Sequence, residues 1–174
     1  MIISVEELKE FVSTNKADKV LELELLALEK SIRNYTNNNF QNINFRFLLN
    51  ASNSKLVITT PYLKVGDTIQ ISQSKFNDGV YYIKEIASES ITLNKSLYDE
   101  EDLLITKIEY PEDIKLGVIQ LVQYNEKNRD KIGIASETIS RHSVSYQNLD
   151  GTNTKIGFPE ALVGFLKPYM KARF

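Results

Sequence analysis

The chain has 174 residues, 42% apolar and 25% charged, the make-up of one ordinary globular domain or of a domain carrying a smaller insertion. It has no cysteine, which excludes disulfide scaffolds, thiolate metal sites and a cysteine nucleophile. Lysine and arginine total 21 against 23 aspartates and glutamates, a formal charge of −2, and this balance argues against sequence-specific nucleic-acid recognition, which needs a basic face for phosphate.

The first ten residues are acidic and amphipathic, without the basic-then-apolar run of a signal peptide. Ser4-Val5-Glu6-Glu7 has capping-box spacing. The short helix that follows carries Val5, Leu8, Phe11 and Val12 on one face and stops near Thr14-Asn15. A second helix is predicted over 18–36, where Leu21, Leu25, Leu28, Ile32 and Tyr35 recur at steps of four and three. Val20, Leu23 and Leu26 widen that stripe, and Asn37-Asn38-Asn39 ends the helix.

From 43 to 108 the pattern changes to short β-branched and aromatic runs. Strands are predicted at 56–60, 68–72, 80–86, 90–94 and 103–108. Val65-Gly66-Asp67 and Asn77-Asp78-Gly79 supply turn chemistry for tight hairpins. Helix resumes at Pro111, with Glu112 and Asp113 at its positive end and Ile114, Val118, Leu121 and Val122 on its buried face. The stretch 136–148 alternates weakly, with Ile139, Val144 and Tyr146 inward. Pro159-Glu160 opens a last helix through Ala161, Leu162, Phe165 and Leu166, and a short tail follows Pro168. The expected fold class is α+β. An α-helical domain of about four helices, formed by 1–42 and 109–174, carries a small antiparallel β-barrel or rolled sheet inserted at 43–108. No apolar run approaches the roughly 20 residues of a membrane helix, so a soluble chain with no membrane partner is expected.

Chemistry is sparse. His142 is the only histidine, too few for an imidazole metal site. Its neighbours Ser140 and Ser143 lack the glycines of a nucleophile elbow. Asp99-Glu100-Glu101-Asp102 has neither the alternate spacing nor the central glycine of a calcium loop, and reads as a solvated hairpin tip or interaction edge. The seven glycines form no phosphate-cradling loop. No catalytic residue, metal or cofactor is therefore expected. A competing reading is a small-ligand or carbohydrate-binding module in the β segment, with Tyr62, Tyr81 and Tyr82 as stacking groups. A hydrolase would need carboxylates or His142 gathered in a cleft.

The element order then lines up with a known pattern. A capped short helix is followed by a long helix ending Tyr-Thr-Asn-Asn-Asn-Phe (Tyr35 to Phe40), and Pro111-Glu112-Asp113-Ile114-Lys115 leads into Leu121-Val122-Gln123-Tyr124. Next come Ser136-Glu137-Thr138-Ile139-Ser140-Arg141-His142-Ser143-Val144-Ser145-Tyr146, a proline-initiated helix, and Leu166-Lys167-Pro168-Tyr169. Over 1–40 and 109–174 this resembles the head-tail connector (adaptor) proteins of long-tailed phages and prophages. The most specific stretch is similar to a Ser-Glu-x-Ile-Gly-x-Tyr-Ser-Val-x-Tyr pattern, from which Ser140 and His142 depart.

The resemblance implies a non-enzymatic virion protein, made in the host cytoplasm and placed at the head-tail interface. Such proteins form a ring, typically dodecameric, on the portal protein and can be monomeric alone. The ring extends the channel through which DNA passes non-specifically, and offers a platform to the next head-completion or tail protein. On this reading Lys167, Tyr169, Met170, Lys171, Arg173 and Phe174 are candidates for portal docking, the competing role being packing on the chain's own core. Glu137, Ile139, Arg141, His142, Val144 and Tyr146 mark an inter-subunit or channel-side segment, or else an ordinary surface hairpin. Leu23 and Leu26 are candidates for packing against a neighbouring copy.

Overall fold

The computed structural model describes residues 1–58, 60–128, 136–139, 142–145 and 154–172, with backbone alone for 136–139 and 142–145. The chain divides into two compact units. One comprises Asn38–Tyr110 with Met1; the other comprises Ile2–Asn37 and Pro111–Phe174.

The first unit is a closed antiparallel barrel. Its strands are β1 (Gln41–Ser52), β2 (Lys55–Val57), β3 (Thr68–Ser72), β4 (Gly79–Ile86), β5 (Ser90–Leu93) and β6 (Glu100–Ile108). Around the barrel the order is β1-β2-β5-β4-β3-β6, and β6 pairs back onto β1. Period-two alternation turns Leu49 and Ala51, Ile69 and Ile71, Tyr81 and Ile83, Ile91 and Leu93, and Leu103 and Ile105 into one core. Each fully buried leucine or isoleucine there stabilises the fold by about 1.5–3 kcal/mol.

This strand order obliges two connections to cross the barrel ends. The β2–β3 segment crosses one end and drops Leu63 into the core, while the β5–β6 segment crosses the other and contributes Leu97. Both ends are thus stoppered by a leucine, and the interior is packed rather than hollow. The hairpin between β1 and β2 turns on Asn53 and Ser54, both at positive φ (52° and 65°), with Ser52 paired to Lys55. Two consecutive left-handed residues are what a tight primed turn demands.

In the second unit, α1 (Val5–Phe11) is capped by Ser4 Oγ, which accepts from the Glu7 amide at 3.1 Å. α2 (Asp18–Thr36) buries Leu21, Leu25, Leu28 and Ile32, and ends with Asn37 in left-handed backbone. α3 (Glu112–Asn128) buries Ile114, Val118, Leu121 and Val122. Lys16 ties these pieces together, its Nζ lying 2.7 Å from both Glu24 of α2 and Glu126 of α3. Burial works against its charge, but the hydrogen bonds it donates to Glu126 and Glu24 outweigh that and raise its pKa above the ordinary lysine value. The backbone pairs β7 (Ser136–Ile139) with β8 (His142–Ser145), and β9 (Thr154–Lys155) with β10 (Phe158–Pro159).

The expected helical body with a β insertion is overturned: the closed six-stranded barrel is the main element. Strand β1, the longest among the described residues, is absent from the predicted strands, which supplied five of the six that close the barrel. Its entry Gln41-Asn42-Ile43-Asn44 continues an asparagine run and has the look of a turn; Gln41 pairs with Ile108, but the register shifts before the next pair, Arg46 with Thr106, so 42–45 form an irregular stretch. Val65-Gly66-Asp67 lies in a crossover rather than a hairpin, with Gly66 at φ 88°. The last helix is 3₁₀ (Glu160–Tyr169) rather than α. Its buried Val163 and Leu166 repeat at three, the 3₁₀ period, instead of the 161/162/165/166 face expected of an α-helix.

Gly117 of α3 shows why this 3₁₀ helix sits where it does. A Cβ added there would lie 2.3 Å from Cζ of Phe165, so the ring needs the bare backbone. Gly117→Ala gains about 1 kcal/mol of helix propensity but incurs about 1–3 kcal/mol of overpacking. Urea denaturation is expected to show a net loss of stability for this variant, whereas a Phe165→Leu, Gly117→Ala double variant recovers part of it.

Candidate functional site

The barrel end that carries the β1–β2 turn, the β3–β4 loop and the β5–β6 crossover holds an open cleft of about 700 Å³. The chain enters and leaves the barrel at the other end, where Gln41 pairs with Ile108. Asn50, Ala51, Ser52 and Val57 line the cleft from β1 and β2, Lys75 and Phe76 from the β3–β4 loop, and Asp99, Glu100 and Glu101 from the end of the β5–β6 crossover and the start of β6.

The loop lining is built on one buried amide. Asn77 is 1% exposed, and its side chain clamps Tyr98 from both directions: Oδ1 accepts from the Tyr98 amide at 2.8 Å, and Nδ2 donates to the Tyr98 carbonyl at 3.0 Å. The same Nδ2 donates to Glu100 Oε2 at 3.0 Å. Glu100 also accepts from Ser74 Oγ at 2.6 Å and from the Lys75 amide at 2.8 Å. Tyr81 closes the arrangement from below, its buried hydroxyl donating to the Asn77 carbonyl at 2.9 Å. Phe76 and Tyr98 thereby stand on residues beside and under the same clamp. Their rings are 5.9 Å apart and tilted by 58°, and each is more than two-thirds exposed.

β6 is bulged at this point. Leu103 faces Leu49 and Glu100 faces Ala51, so β6 uses one residue more than β1, and Asp102 takes φ 58° with its amide on Asn50 Oδ1 at 3.1 Å. Asp99, Glu100 and Glu101 of the acidic run line the cleft beside this bulge. Among the described residues no cation pairs with any of the four carboxylates. The Ser74 and Lys75 hydrogen bonds hold Glu100 below the ordinary carboxylate pKa, so it stays ionised as a structural anchor.

The tyrosines proposed for ligand stacking do not come together. Tyr81 is in the core, Tyr82 is half-buried on the next position of β4, and Tyr62 is exposed in the β2–β3 crossover against Phe45 and Phe47. Among the described residues no three histidines, aspartates or glutamates are grouped to hold a metal.

The predicted docking residues lie in the second unit. Tyr169 donates its hydroxyl to both carboxylate oxygens of Asp113 at 2.8 Å, an interaction that raises its pKa. The Lys171 amide donates to the Thr36 carbonyl at 2.8 Å, and Asn37 Nδ2 to the Ala172 carbonyl at 2.8 Å. The tail backbone therefore satisfies one open carbonyl of α2, and Asn37 in turn satisfies a tail carbonyl. The side chains of Lys167, Met170 and Lys171 remain exposed, and Arg173 and Phe174 lie outside the described residues. In the β7–β8 ladder Glu137 is opposite Val144 and Ile139 opposite His142, while Arg141 and Tyr146 lie outside the described residues.

Lys75, Phe76, Asn77 and Tyr98 were not legible as site residues, because the clamp joins positions 21 to 26 residues apart. The acidic run was the one signal available. Asn77→Ala is expected to cost about 1–3 kcal/mol by urea denaturation and to speed exchange of the Tyr98 amide. Because the folded-state pKa of Glu100 is depressed, its contribution is present above the unfolded carboxylate value and lost as pH falls through the folded one. The Lys75 amide resonance should report that transition, and Glu100→Gln should abolish it. No family model matches the chain, and no curated protein matches it.

Proposed function

We propose that this chain is a structural interaction protein, a subunit of the ring that joins a phage head to its tail. One observation carries the reading. Residues 1–40 and 109–174 bear the connector resemblance, and nearly all of them belong to a single compact unit assembled from both halves of the chain, Ile2–Asn37 and Pro111–Phe174. The barrel, outside the resemblance, has its own core. A ring needs two different surfaces on each subunit that close by rotation. α2 offers material for one of them: Val20 and Leu23 are half and two-thirds exposed on the side away from its buried stripe. The exposed side chains of Lys167, Met170 and Lys171, on a backbone pinned to α2, are suited to docking on a portal.

Mixing the purified chain with its cognate portal and imaging the product by electron microscopy tests this directly. A discrete ring added at the narrow end of the portal is the expected result, and Leu23→Glu should block ring growth while leaving the unfolding temperature unchanged. Absence of association across a range of salt and protein concentrations would overturn the reading.

A further inference from the structure

We propose that the cleft at the closed end of the barrel is a docking site for a cationic polypeptide segment, one that sets an arginine or lysine beside an apolar side chain. The argument rests on the barrel alone and stands apart from the ring reading.

Three observations converge. Asp99, Glu100 and Glu101 line the cleft together with Lys75, three carboxylates to one ammonium, and none of them is neutralised by an ion pair among the described residues. An unpaired excess of negative charge in a partly enclosed site attracts and orients a cation. Beside it, Phe76 and Tyr98 expose 69% and 68% of their surface, although aromatic side chains of this size ordinarily find cover. Their mutual tilt of 58° sets the exposed rings at an angle, suited to a guanidinium over a ring face and not the flat platform on which a sugar stacks. Finally, the clamp from Asn77 and Glu100 fixes the backbone that carries the aromatic pair before any partner arrives, so little ordering cost falls on binding. Val57 and Ala51 supply the apolar floor.

The test is a titration of the isotope-labelled full chain, followed by amide resonances, with three probes at low salt. These are a capped hexapeptide alternating leucine and arginine, its leucine–glutamate counterpart, and the neutral sugar cellohexaose. The arginine peptide should saturate shifts at Lys75, Phe76 and Glu101, bind roughly tenfold more tightly than the glutamate peptide, and weaken with added salt. Phe76→Ala should weaken it about fivefold and Glu101→Gln about threefold at unchanged unfolding temperature. Lys75→Gln, which removes the one opposing charge, should tighten it by about threefold, a gain that misfolding cannot imitate. Equal binding of the glutamate peptide, preferential binding of cellohexaose, shifts located elsewhere, or a Lys75→Gln variant with unaltered affinity would each overturn the proposal.

Discussion

Pairing of β1 with β6 is the constraint on which the barrel depends. Without it the six strands form an open sheet with β1 and β6 as unpaired edges, and an edge is both a loss of hydrogen bonds and an invitation to aggregate. With it, every strand has two neighbours, and the interior becomes a sealed core of alternating side chains. The crossovers, the leucine stoppers and the bulge at Asp102 are consequences of closing that ring with strands of unequal length. The cleft is a by-product of the same geometry: where β6 is bulged and β2 is short, the wall does not reach the rim, and polar loops must be held by something else. Asn77 and Glu100 do that.

The two units solve the problem of burying backbone ends in different currencies. In the barrel, loop amides are satisfied by side chains distant in sequence, with Asn77, Asp99 and Glu100 acting as acceptors, while Asp78 accepts from Ser74 within its own loop. In the helical unit the open carbonyls of α2 are met by the tail backbone, at Thr36, and by the left-handed cap at Asn37. The tail is thus part of the helical unit's own framework at the level of main chain, while its exposed side chains are left for another purpose.

Much of the helical unit was legible. The stripe Leu21, Leu25, Leu28, Ile32 and the cap at Ser4 are local patterns, and local patterns survive into structure. Strand β1 was hidden because its first residues, rich in asparagine and glutamine, have no strand preference of their own, and the regular ladder with β6 begins only at Arg46. The 3₁₀ helix was hidden because its residues suit an α-helix equally well; the ring of Phe165 over Gly117 is a tertiary fact. Of the cleft, only the run Asp99–Asp102 was visible. The aromatic pair and the asparagine clamp arise from loops that meet by topology, for which a linear sequence has no marker.

The adjacency of Gln41 and Ile108 has an effect on the helical unit that no contact expresses. These register partners lie about 5 Å apart, the Cα spacing of an antiparallel pair. An unstructured segment of this length would impose a loop-closure entropy of about 4 kcal/mol on any fold built from its two flanks. A folded barrel brings those flanks together in advance and removes most of that burden. Stability of the helical unit is in this way underwritten by a barrel it need not touch, and loosening of β1 from β6 would be felt as a longer, floppier tether between Asn37 and Pro111.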